Sequence, residues 1–145
     1  MVGLVIVCML NVPASPADVQ EFIHCSEYVD QWNLGTKWHE VVSIYFEPED
    51  HAVAYKIIGC ESWGVPTAKN PTSTATGLWQ FISKTWTWVE SKLKISGSPT
   101  DPYLSTRFAA WLFYNTNQGA GHWAESAFCW EVSNGKKNNN YNEIY

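Results

Sequence analysis

A chain of 145 residues, 46% hydrophobic and 16% charged, is long enough to bury one sizeable core and needs no second folding unit. Its net charge of −5 and pI near 5.2 leave no basic stripe to displace counterions, which argues against nucleic acid as a partner. The nine tryptophans are the one large departure from ordinary composition, and they suit a flat-faced ligand as well as a core, so a functional reading of any of them must rest on position.

The N-terminal stretch "MVGLVIVCMLNVPASPA" carries about ten apolar residues, within the range of a signal-peptide core and too short to span a membrane. Ala14 and Ala17 would suit a signal peptidase, but no Lys or Arg precedes Lys37. Residues 1–17 are therefore expected to be either a signal peptide or an ordinary apolar N-terminal segment. Residues 18–31 predict a short helix capped by Asp18. In "TKWHEVVSIYF", Trp38, Val41, Val42, Tyr45 and Phe46 recur at helical spacing behind Thr36 as cap.

Pro48 interrupts that helix and is placed to start the next, with Glu49 and Asp50 in the favourable first turn. The second helix is predicted over about 49–61, where Ala54, Ile57 and Ile58 share a face with Glu61. Gly64 and Pro66 stop it, and "GVPTAKNPTSTATG" reads as a loop or a small polar hairpin. "LWQFISKTWTWVESKL" returns to helical spacing, in one piece or in two with Ser83 as an internal cap. "DPYLSTRFAAWLFYN" opens with Asp101 as N-cap and Pro102 at the first helical position, then aligns Leu104, Phe108, Trp111, Leu112 and Asn115. The glycine-broken turn "NQGAGHW" leads to a last short helix through Cys129. The polar tail 133–145 reads as a frayed end, leaving 18–132 as one domain, α+β leaning to all-α.

None of Cys8, Cys25, Cys60 and Cys129 has C-x-x-C spacing, and His24, His39, His51 and His122 form no metal-ligand pair, so neither a metal nor a cofactor is expected. Cys60 and Cys129 could close a long loop worth roughly 3–4 kcal/mol in the chain-entropy model, or stay as free thiols. Glu61 on an apolar face is either a boundary residue or a carboxyl kept protonated by burial, which is what a general acid acting on a glycosidic oxygen needs.

"CES" at 60–62, "NPTSTATGLWQF" at 70–81 and "DPYLSTRFAAWLFYNTNQGAGHW" ending in "CW" at 129–130 together resemble the lysozyme-like domains of soluble lytic transglycosylases, near the resuscitation-promoting factors and phage muralytic domains. The resemblance covers roughly residues 36–130 and implies a mainly α, lysozyme-like fold with a small polar hairpin or loop insertion. It implies that Glu61 is the catalytic acid, that Ser62 supports the turn beside it, and that Gly77, Leu78, Trp79 and Gln80 line the sugar cleft. Tyr114 and Asn115 look like the start of the family's Tyr-Asn-x-Gly element, although two extra residues precede Gly119 here. Trp63, Trp79 and Trp123 flank the implied cleft and either stack on sugars or pack in the core. The resemblance also implies a bridge from Cys129 back to Cys60.

From Ser62 to Val89 there is no Asp or Glu, which is where a hen-type lysozyme would supply its second acid. Glu90, Asp101 and Glu125 match no second catalytic position. The expected activity is therefore lytic transglycosylation of the MurNAc-GlcNAc bond of peptidoglycan by a single glutamate. The alternatives are a lysozyme-type hydrolase of peptidoglycan or chitin, and a non-catalytic sugar-binding or virion structural module. A monomer acting outside the cell, at the cell wall or carried by a phage virion, completes the expectation.

Overall fold

The structure is a computed structural model that describes residues 32–131. The predictions for residues 1–17 and 18–31, for Cys8, Cys25 and His24, and for the tail 133–145 lie outside the described residues.

After a helical stretch at residues 32–36, the described region continues with α1 (His39–Tyr45), α2 (His51–Ser62), α3 (Ser83–Leu93), α4 (Pro102–Asn115) and α5 (Ala127–Trp130). Two 3₁₀ segments, Pro48–Asp50 and Gly119–Ser126, lead into α2 and α5. Extended pairing among the described residues is limited to the isolated bridges Lys69 to Thr76 and Thr76 to Phe81. The molecule is thus mainly α, and the polar insertion is a loop pinned by single bridges.

The helix boundaries follow local chemistry. Asp101 accepts hydrogen bonds from the backbone N–H groups of Tyr103 at 2.9 Å and Leu104 at 3.2 Å, with Pro102 at the first position. Such a cap contributes about 1 kcal/mol. Pro48 opens the 3₁₀ turn before α2, as its fixed φ and missing donor favour. Thr36 does not cap α1: its hydroxyl donates to the Asn33 carbonyl in the preceding helical turn, and Trp38 takes the cap position with no side-chain bond. The periodicity of "LWQFISKTWTWVESKL" also overextends the helix there. Gln80 sits at φ 49° and Phe81 pairs with Thr76, so the chain turns through 77–81 and α3 starts only at Ser83, behind Ile82. Gly77, at φ +88°, is required in that turn because a Cβ would lie 2.0 Å from the Pro99 carbonyl oxygen.

Helix α2 packs against α1 and α5, and α1 packs against α4. Ile57, Ile58, Leu78, Phe108 and Leu112 are fully buried between these elements. Burying each such side chain stabilises the fold by about 1.5–3 kcal/mol. Helix α4 is buried more widely than its predicted stripe, with Ser105, Thr106, Ala109 and Ala110 inside while Leu104 and Trp111 are half-buried. An aromatic seam runs through the core: the Phe46 and Trp79 rings stack 5.3 Å apart at 6°, and Trp79 meets Trp123 at 5.1 Å. A disulfide joins Cys60 at the end of α2 to Cys129 in α5. No helix among the described residues is long and apolar enough to cross a membrane.

Candidate active site

The last turn of α2 sets up the site. Ile57 and Ile58 anchor the helix in the core, which brings Glu61 to its end on the same side. Trp63 ends the helix in the left-handed conformation at φ 56°, its N–H bonded to the Gly59 carbonyl, and the Trp38 indole N–H holds the next residue by donating to the Gly64 carbonyl at 2.9 Å. Glu61 is therefore fixed at a helix terminus, half-buried beside an open groove of about 590 Å³.

Three stretches supply most of the groove lining beside Glu61, with Thr85 of α3 and Leu112 of α4 completing it. Asn70, Ser73 and Ala75 come from the polar loop, Trp79 to Ile82 from the turn that follows it, and Gly121 to Ser126 from the second 3₁₀ segment. Hydroxyl, amide and carboxylate groups beside largely buried aromatic side chains give the groove polar partners for a hydroxyl-rich ligand.

The Ser126 hydroxyl donates to Glu61 Oε1 and also lies 3.1 Å from the Trp123 carbonyl. The Trp130 indole N–H donates to Ser126 Oγ at 3.0 Å. Burial pushes the Glu61 carboxyl above the usual glutamate range; the Ser126 bond partly offsets this, and the nearby Glu125 charge adds to the rise. Burial lowers the His122 imidazole, another residue of the groove, and its Nε2 lies 2.7 Å from Thr116 Oγ1.

The sequence-predicted site residues separate into two groups. Glu61, Trp79, Gln80 and Trp123 line the groove. Trp79 and Trp123 form its floor, but at 1% and 6% exposure neither presents a free ring face. Their indoles are engaged internally, Trp79 donating to Thr106 Oγ1 at 3.1 Å and Trp123 to the Trp79 carbonyl at 3.0 Å. The Gln80 amide donates to the carbonyls of Ala68 and Gly77, so it holds the loop to the turn as well as lining the groove.

Ser62, Tyr114 and Asn115 are not among the groove residues. Ser62 is buried and donates back to the Ile58 carbonyl at 3.0 Å within its own helix. Tyr114 donates to Asp50 Oδ2 at 2.6 Å and accepts from the Glu47 N–H at 2.9 Å, tying α4 to the turn before α2. Burial, together with the Asp50 carboxylate, pushes its phenol up to about 12. The Asn115 amide donates to the Trp111 carbonyl one turn back. The exposed Trp63 also lies off the groove.

Glu125, Ser126 and His122 line the groove but lie far from Glu61 along the chain, so no local sequence pattern marks them. The signal that finds them is the cysteine pair. Glu61 adjoins Cys60 and Ser126 precedes Cys129 by three residues, so linking the cysteines brings the two together.

A comparison with protein-family models matches the transglycosylase SLT domain over residues 47–143, a span that continues into the Asn-rich tail. Searches of curated proteins and of solved structures gave no match. The family match covers more than half of the chain and includes all three walls of the groove, so the protein belongs to the transglycosylase SLT domain family.

Proposed function

We propose that the protein is a peptidoglycan lytic transglycosylase that cleaves the β-1,4 bond between MurNAc and GlcNAc, with Glu61 as the single acid and base. The observation that carries this reading is a half-buried glutamate, its carboxyl held above the ordinary range, at the edge of a polar-lined groove. Such a carboxyl keeps its proton at a pH where an ordinary glutamate has lost it.

In the first step the Glu61 proton passes to the glycosidic oxygen, and the C1–O bond breaks with GlcNAc leaving as an alcohol. In the second, the Glu61 carboxylate takes the proton from the muramic 6-hydroxyl as that oxygen bonds to C1. One C–O bond replaces another, water is not consumed, and Glu61 ends protonated for the next turnover. Peptidoglycan glycan strands are the partner, and Gln80 with the loop residues Asn70 and Ser73 would contact the sugars. The Cys60–Cys129 disulfide supports action in an oxidising space outside the cytoplasm.

A second reading, hydrolysis, is favoured by one observation: Glu125 lines the same groove, so a second carboxylate is near Glu61 after all. Glu125 is exposed, and its charge acts on Glu61 to hold the proton there. Under transglycosylation, Glu125→Gln should retain glycan release from purified peptidoglycan within about threefold and move the alkaline limb of the pH profile down, because a like charge is gone. Under hydrolysis with Glu125 as base, the same variant should lose about 10²-fold or more. Release of soluble glycan from peptidoglycan but not from chitin supports the proposed substrate. Retained binding to cell wall with no release by the unaltered protein would instead support a binding module.

A further inference from the structure

Ser126 has one hydroxyl proton and two acceptors within reach, Glu61 Oε1 and the Trp123 carbonyl at 3.1 Å. One of its lone pairs is taken by the Trp130 indole N–H at 3.0 Å, and that indole also lies 3.1 Å from the same Trp123 carbonyl. A hydroxyl can donate once and accept twice. Two arrangements therefore satisfy every group. With Glu61 ionised, the Ser126 proton points at the carboxylate. With Glu61 protonated on Oε1, the carboxyl donates to the second lone pair of Ser126 and the serine proton turns to the Trp123 carbonyl, while a proton on Oε2, the oxygen left free for substrate, keeps the first arrangement. The exchange needs only rotation about one C–O bond.

We propose that Ser126 is the positioning residue that holds Glu61 in one place as it changes from proton donor to proton acceptor within a turnover. This rests on the reading of Glu61 as acid and base. A fixed serine with two acceptors suits a single carboxyl that does both jobs, because neither state leaves a half-buried polar group without a partner. Ser126 is itself fixed: it ends the second 3₁₀ segment at the N-cap position of α5, three residues before the cysteine that fastens α5 to α2. Glu125 and His122 are the other titratable side chains of the groove, and neither makes a hydrogen bond to Ser126.

The test compares the full chain with Ser126→Ala, Ser126→Thr and Trp130→Phe. Glycan release is followed across pH, and Glu61 is titrated directly by carboxyl NMR without substrate. Ser126→Ala is expected to lower kcat on the order of 10²-fold with KM within about threefold. It should also raise the Glu61 titration midpoint, since a donor to the charged form is lost. Ser126→Thr, which keeps the hydroxyl, should restore both. Trp130→Phe should move the titration the same way by less, which keeps the proposal testable if the alanine variant folds poorly. An unchanged Glu61 titration in Ser126→Ala and Trp130→Phe would overturn the proposal, as would a kcat loss that threonine does not restore. Full activity in Glu61→Gln is a separate outcome that would remove the underlying reading of Glu61, whereas an inactive Glu61→Gln beside a fully active Ser126→Ala would remove only the role of Ser126.

Discussion

Glu61→Gln is expected to lower glycan release from peptidoglycan by at least about 10³-fold with little change in binding, because in the proposed mechanism one group supplies both the proton that leaves and the base that follows. Glutamine keeps the size of the side chain and can still meet Ser126, so the loss reports proton transfer and not packing. The pH profile of the unaltered protein should carry the same signature. Glu61 titrates above the ordinary glutamate value, so activity that needs the protonated form persists through the ordinary range and falls as pH rises through the raised value. Stability changes in the same direction. A folded-state pKa above the unfolded one means that the folded chain binds more protons between the two values, so stability falls as pH rises through that window. Glu61→Gln should therefore unfold at a slightly higher temperature than the unaltered protein at neutral pH, an exchange of stability for activity common at catalytic sites. Calorimetry at two pH values and a release assay measure both halves.

The second large effect concerns Cys60 and Cys129. At a sequence separation of 69, the chain-entropy model assigns the bridge roughly 4 kcal/mol. Replacing both with alanine should lower the melting temperature by roughly 10–15 °C in a chain of this size. The loss should also be uneven. Helix α5 is only four residues long, too short to persist by its own hydrogen bonds, and it carries the tryptophan that holds Ser126. Release should therefore fall at temperatures where the bulk helical signal by circular dichroism is still intact. Coincident loss of activity and helix, or a melting temperature within a few degrees of the unaltered protein, would contradict this assignment.

The helices were legible where their ends carry chemistry. Asp101-Pro102 and Pro48-Glu49-Asp50 mark their starts by capping and fixed φ, and the structure places α4 and α2 accordingly. The helix predicted from Leu78 failed at its start because apolar periodicity says nothing of the left-handed residue at Gln80 or of the bridge from Thr76 to Phe81. Tryptophans gave the least guidance, since burial and sugar stacking demand the same ring; only solvent exposure separates them, and it places Trp79 and Trp123 in the floor. Within the groove, the helix face left Glu61 open between a boundary residue and an acid, and only the resemblance carried by "CES" and "NPTSTATGLWQF" singled it out; Ser126 has no such signal. A serine 65 positions away gives no local pattern, and only the disulfide connects the two stretches. Tyr114 shows the converse: a motif-like tyrosine beside an asparagine has its hydroxyl bonded to Asp50 and Glu47 instead.

The central claim is that the muramic 6-hydroxyl, and not water, attacks C1 while Glu61 moves the proton. Digesting purified peptidoglycan in heavy-oxygen water and weighing the released muropeptides tests it directly. Fragments one water lighter than their reducing counterparts, with no heavy oxygen at the new end, are the predicted result. Reducing ends carrying one heavy oxygen would contradict it and make the enzyme a hydrolase.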